Sequence, residues 1–183
     1  MTRWILVFGL LLSTFTGCRE TLAPPCTPEV AQSEIDAVPL KQLLVDLSII
    51  DNYLQTKGIT PLIDPTGIRY TVQTEGTGKS IECLENFLVA RYKGFLVNPG
   101  PNELAENPLG LLDEGTLQSR LNGLILGWQV MLPRFKAGTK VTLYLPSGYC
   151  YGPNSRPAQI GSGKSSLPAN SSLIFEIELL DVQ

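Results

Sequence analysis

Leu167-Pro168-Ala169-Asn170-Ser171-Ser172-Leu173-Ile174-Phe175-Glu176-Ile177-Glu178-Leu179-Leu180 is the stretch on which the fold turns. From Leu173 the pattern has period two, with Leu173, Phe175, Ile177 and Leu179 on one side and Glu176 and Glu178 on the other. Successive side chains of a strand face opposite ways, so the pattern predicts an antiparallel sheet with one dry face and one wet face. Further back, Lys140 to Leu145 is a strand with Val141, Leu143 and Leu145 on one face, and Gly127 to Lys136 is a short helical segment. Between these and the last strand, Gly148 to Pro168 is irregular and rich in Gly, Pro and Ser. An extended run covers Phe87 to Leu96, and before it Ile68, Tyr70 and Val72 alternate with Arg69, Thr71 and Gln73. Asn98 to Leu112, broken by Pro99, Gly100, Pro101, Pro108 and Gly110, reads as a long polar loop. Asp113-Glu114, before a glycine, reads as a polar turn. Several antiparallel strands with one short helix on their apolar side make the fold α+β.

Ahead of the strands, Leu40, Leu43, Leu44, Leu47, Ile50 and Leu54 recur at three- and four-residue spacing, which predicts an amphipathic helix with Pro39 at its start and Gly58 just past its end. Its stripe can dock on the domain or on a second copy to form a homodimer. Composition narrows the chemistry. The 183 residues are 43% hydrophobic and 17% charged, with a net charge of -3 and no histidine. That excludes imidazole acid-base chemistry, Ser-His-Asp and Cys-His nucleophiles and histidine-dependent zinc hydrolases. With no gathering of basic residues, nucleic acid is not an expected partner.

The N-terminus reads as an address. Arg3 precedes the apolar run Trp4 to Leu12, which ends in Ser13-Thr14-Phe15-Thr16-Gly17-Cys18. The run is short of the roughly 20 residues a bilayer span needs. Phe15-Thr16-Gly17-Cys18 resembles the lipobox of bacterial lipoproteins, with Phe15 in place of the usual leucine. The resemblance implies cleavage before Cys18, its lipidation and anchoring to a bacterial membrane; ordinary signal peptidase cleavage is the alternative. Arg19 to Pro39, with Pro24, Pro25, Pro28 and Pro39, reads as a semi-extended tether. Cys26, Cys83 and Cys150 contain no CxxC pair, and one disulfide plus one thiol is compatible with an exported chain in any pairing. Gly161-Ser162-Gly163-Lys164-Ser165 lacks the first glycine of a phosphate loop and reads as a solvated loop.

Three stretches together resemble the FKBP-type peptidyl-prolyl isomerases. They are Ala90-Arg91-Tyr92-Lys93-Gly94; the run from Leu124-Ile125-Leu126-Gly127-Trp128 through Leu145-Pro146 to Tyr149-Cys150-Tyr151-Gly152; and the closing segment quoted above. Their order and spacing, from about Gly67 to Val182, carry the resemblance. It implies an antiparallel half-barrel wrapped around the helix that begins near Trp128, with an apolar cleft for a proline side chain. It also implies the arrangement 1–17 signal peptide, 18–39 tether, 40–57 amphipathic helix and 58–183 isomerase domain. By carry-over Trp128 floors the cleft, Tyr92, Leu124, Ile125, Leu167 and Phe175 wall it, the Tyr151 hydroxyl donates to a substrate carbonyl and the Ile125 N–H donates to another. No metal or organic cofactor is implied, and the partners are proline-containing polypeptides exported to the membrane surface.

Departures from the family qualify this. Where it has a pocket-lining Phe and an Asp that faces the substrate carbonyl, Gly115-Thr116-Leu117-Gln118-Ser119 puts Leu117 and Gln118, and Gln118 brings no charge. The strand that should follow is nearly deleted between Ser119 and Asn122, and Asn98 to Leu112 is inserted before it. The expectation is weaker or altered catalysis with the floor kept. The rival is a peptide-binding or assembly module that has kept the cleft and lost rapid turnover.

Overall fold

A computed structural model describes residues 26–98, 110–155 and 166–183. Its elements are α1 (Gln32–Asp36), α2 (Leu40–Lys57), β1 (Leu62–Ile63), β2 (Arg69–Thr74), β3 (Phe87–Leu96), β4 (Leu111–Arg120), α3 (Leu126–Met131), β5 (Lys140–Leu145) and β6 (Leu173–Val182), with 3-10 turns at Leu121–Gly123, Leu132–Arg134 and Ser147–Tyr149. The strands form one sheet in the order β1-β2-β5-β6-β3-β4, each neighbouring pair antiparallel.

The alternation that predicts β6 sets the inner face. Leu143 pairs with Phe175, Val141 with Ile177, and Ile177 in turn with Tyr92, so these side chains share one side of the sheet. Trp128, Met131 and Leu132 pack against that side to make the main core, with Leu88, Ala90, Leu121, Leu167, Leu173 and Leu179. This is the antiparallel sheet around a short helix that the resemblance implies.

The outer face is not simply wet. Helix α2 covers part of it, where Ile50 and Leu54 bury against Tyr144, Ile174 and Val97, with Tyr53 and Phe95 around them. Two polar ties fix the helix in place. Asp46, fully buried, accepts hydrogen bonds from the Ser147 N–H at 2.7 Å and the Ser147 hydroxyl at 2.6 Å. Asp51 accepts from both Arg69 Nε at 2.9 Å and an Arg69 terminal nitrogen at 2.8 Å. The helix ends at Gly58, whose φ of 66° suits the left-handed cap that lacks a Cβ penalty. Helix α2 thus docks on the domain and shares a core with it, while Leu40 and Leu44 stay exposed.

Three expectations need correction. Leu111 and Leu112, read as the end of a loop, open β4, and Asp113-Glu114, read as a turn, lies inside it. Edge strands bury little, so β4 lacks the alternation that made β6 legible. The tether reading fails from Cys26 onward. Cys26 and Cys83 form a disulfide, and the Leu84 N–H donates to the Thr27 carbonyl at 2.7 Å, which lays residues 26–38 along the domain. The leader, Cys18, most of the inserted loop and Gly161 to Ser165 lie outside the described residues. No helix among the described residues is long and apolar enough to cross a membrane.

Candidate functional site

The inner face gathers three aromatic rings. Trp128 meets Phe175 edge to face at 5.4 Å between centroids and an interplanar angle of 90°. Tyr92 meets Trp128 at 5.7 Å and 81°, and Phe175 at 6.4 Å and 50°. Each ring comes from a different element: Trp128 from α3, Tyr92 from β3 and Phe175 from β6. Edge-to-face contacts set the positive rim of one ring against the negative face of the next, so the three hold one another at fixed tilts. Gly94 makes room for them. A Cβ there would lie 2.8 Å from Phe175 Cε1, so the Phe175 ring occupies the space over the glycine backbone.

Trp128 is 3% exposed, and its indole N–H has no hydrogen-bond partner among the described residues. A buried donor left unpaired costs about 1–3 kcal/mol, and in native structures such groups need a reason. Helix α3 starts at its N-cap Ile125, whose carbonyl accepts from the N–H groups of Trp128 at 2.9 Å and Gln129 at 3.2 Å. The Ile125 N–H itself lies outside the helix's own bonding pattern. Gln129 braces this entrance by donating from Nε2 to the Leu124 carbonyl at 2.7 Å.

The Tyr92 hydroxyl donates to Asp113 Oδ2 at 2.8 Å. Its pKa is pushed up to about 12 by burial first, then by the Asp113 hydrogen bond and charge, with a contribution from Tyr151. The hydroxyl therefore stays protonated, and Tyr151 lies close enough to Tyr92 for their charges to interact. Burial, followed by the charge of Asp46, also raises the Cys150 thiol well above its ordinary range, so Cys150 is not a ready nucleophile.

The structure brings Tyr92, Trp128, Phe175, Leu117, Leu124, Ile125, Leu167 and Tyr151 to one apolar cluster. It does not bring Gln118 there. Gln118 pairs with Val89 while Leu117 pairs with Ala90 and Gly115 with Tyr92. Directly paired residues share a face, and a step of one residue reverses it, so Gln118 stands on the opposite side of the sheet from Tyr92 and is exposed. The polar group beside Tyr92 is Asp113, which sequence reasoning missed. Leu112-Asp113 has the same apolar-then-acid order as the family's Phe-Asp, five residues before Leu117-Gln118. Without the pairing of β4 on β3 there was nothing to choose between the two. Among the described residues, no group of three or more Cys, Asp or Glu is placed to hold a metal ion.

Residues 84–180 match the profile of a family described as FKBP-type peptidyl-prolyl cis-trans isomerase. A protein of that description from Buchnera aphidicola (Schizaphis graminum), FkpA, is 28% identical over 156 residues, which is 84% of this chain and 55% of the relative. FkpA of Escherichia coli K12 is 30% identical over 133 residues, 73% of this chain and 43% of the relative. FK506-binding protein 1 of Eremothecium gossypii is 42% identical over 110 residues, 58% of this chain and 85% of the relative. The chain thus spans about half the length of the bacterial relatives it matches. Among solved structures, Escherichia coli FkpA superposes with a TM-score of 0.57 at 26% identity, covering 83% of this chain and 64% of that one. A peptidyl-prolyl cis-trans isomerase from Pseudomonas syringae does so with 0.55 at 26% identity, covering 78% and 94%.

Proposed function

Since the chain belongs to the FKBP-type peptidyl-prolyl cis-trans isomerases, we propose that it catalyses X-Pro isomerisation in exported polypeptides, using the cluster of Tyr92, Trp128 and Phe175 as its proline site. The observation that carries this is the set of three mutually tilted rings. Trp128 floors the site, and Tyr92, Phe175, Leu124, Ile125, Leu167 and Leu117 wall it.

The chemistry suits a chain without histidine. An X-Pro amide rotates through a twisted state in which C–N resonance is lost, against a barrier of roughly 18–20 kcal/mol, and no bond breaks. The planar amide is the more charge-separated form. An apolar site that strips water from it while holding both ends favours the twisted form. Each 1.4 kcal/mol taken off the barrier is about tenfold in rate, so roughly 5 kcal/mol makes an effective isomerase. In this reading the Ile125 N–H and the Tyr151 hydroxyl donate to the client's carbonyls. Asp113 holds the Tyr92 ring at its tilt and supplies the carboxylate that the pair Leu117 and Gln118 lacks. Asp113 favours turnover over the rival of a binding module without catalysis.

Arg3, the apolar run to Leu12 and Gly17-Cys18 support export followed by lipidation of Cys18, which puts the activity at a bacterial membrane surface. A protease-coupled assay on a proline peptide tests the enzyme reading. The chain is expected to speed isomerisation, Tyr151→Phe to slow it, and Lys164→Ala to leave it unchanged; a chain that binds the peptide without changing the rate overturns it. A mass spectrum of the processed N-terminus tests the anchor.

A further inference from the structure

Residues 26–38 run along the back of the site, and we infer that they form a brace whose hold on α3 and on the Leu124–Ile125 rim is set by the oxidation state of the Cys26–Cys83 disulfide. The activity part of this inference rests on the isomerase reading; the structural part does not.

The brace borders the site on two sides. At its start, the Thr27 carbonyl accepts from the Leu84 N–H at 2.7 Å, and the Thr27 N–H donates to the Glu85 carboxylate at 3.0 Å. The same short loop holds the turn that leads into the site. The Leu84 carbonyl accepts from the Asn122 N–H at 2.8 Å, and the Asn86 carbonyl accepts from the Leu121 N–H at 3.1 Å. Leu124 and Ile125 follow directly. Cys83 therefore sits in a loop with the brace bonded to one side and the rim of the cleft to the other.

Further along, Val30 and Ile35 face Gln129, Val130 and Pro133 across a cavity of about 240 Å³ behind α3. Gln129 is the residue that donates to the Leu124 carbonyl, and it follows Trp128 in the helix. At its far end, Val38 Cγ1 occupies the space where a Cβ on Gly148 would stand, 2.6 Å away, beside the turn that leads to Tyr151.

Between the disulfide at its start and the docked helix α2 at its end, little holds the brace down. Helix α1 buries no residue, and within 26–38 only Val30, Ile35 and Val38 are even half-buried. Ordering a chain this long costs backbone entropy at every residue, which three half-buried side chains offset poorly. A segment with few buried contacts opens at low free energy once its covalent anchor is cut. Cys26 is exposed. A dithiol reductant displaces one sulfur and closes to its own cyclic disulfide. It gives up two electrons and two protons, the S–S bond breaks, and Cys26 and Cys83 become thiols.

The experiment uses the full chain oxidised, reduced with dithiothreitol and reoxidised, and an oxidised Ile35→Asp variant. Amide hydrogen exchange at residues 124–131 is compared with exchange in β5, and kcat and KM are measured in parallel. Reduction is expected to speed exchange at 124–131 about tenfold and leave β5 unchanged, with reversal on reoxidation. Ile35→Asp should reproduce this with the disulfide intact, and kcat/KM should fall about fivefold in both loosened forms. Unchanged exchange at 124–131 on reduction overturns the brace, and so does an equal rise in β5, which would make the disulfide a global staple only. An oxidised chain with no isomerase activity would instead defeat the proposed function, while the exchange data would still decide the brace.

Discussion

The inner and outer faces of the sheet use the same strands differently. Inside, Tyr92, Phe175 and Ile177 meet Trp128 in a continuous apolar layer that includes the candidate site. Outside, the sheet is divided. Tyr144 and Ile174 are dry under α2, while Arg91, Lys93, Lys140, Glu176 and Glu178 are among the residues that line an open groove of about 310 Å³. The inner layer has a single solution because every second residue must be buried. The outer layer depends on where a helix from another part of the chain is tied down, which here means Asp46 on Ser147 and Asp51 on Arg69. The face that holds the candidate site is therefore written along the strands, and the supporting face is imposed on them.

Substitutions can break this comparison, beginning with the largest effect. Trp128→Ala should cost about 3–5 kcal/mol of stability in urea unfolding and remove most of the isomerase activity, because the proposed floor and the core are one residue. Ile50→Ala on the outer face should cost about 2–5 kcal/mol in the same measurement yet leave kcat/KM of the folded fraction unchanged. An equal loss of activity there would erase the distinction between the faces. Gly94→Ala drives a methyl into the Phe175 ring and should cost about 1–3 kcal/mol, with KM rising for proline peptides as the ring is displaced.

Tyr92 sharpens the comparison through pH. Its pKa rises to about 12 from the ordinary tyrosine value of 10.0, so the folded state holds the proton more tightly than the unfolded one. Its contribution to stability is complete below pH 10 and is lost as pH climbs through 12, where Tyr92→Phe should show a flatter decline in unfolding midpoint. The smallest effect belongs to the charged residues of the outer groove. Glu178→Gln removes the contacts with Arg91 at 2.8 Å and Lys140 at 3.3 Å, and should change stability by under about 1 kcal/mol, since exposed pairs are screened.

The strands with a buried face were legible residue by residue. Lys140 to Leu145 and the run from Leu173 emerged because period two leaves its trace along a strand, and Phe87 to Leu96 emerged as an extended run. The three rings of the candidate site were legible only through the family resemblance of the stretches that hold Tyr92, Trp128 and Phe175. Strand β4 was not, since a solvated edge leaves no such trace, and Asp113 was hidden with it. Residues 26–38 read as part of a tether because Pro28 and a run of exposed polar side chains look alike whether a chain floats or lies pinned.

By itself the sequence determined the kinds of element, the limits of α2 at Pro39 and Gly58, the dry side of β6 and the exclusion of histidine chemistry. Each of these follows from bond geometry and composition within a few residues. Only the tertiary structure decided that α2 lies on the outer face, that Cys26 takes Cys83 and leaves Cys150, and that Asp113 rather than Gln118 stands beside Tyr92. Those choices depend on pairing between segments far apart in the chain. There a shift of one residue reverses the face of every side chain, and the local pattern on either strand alone does not record it.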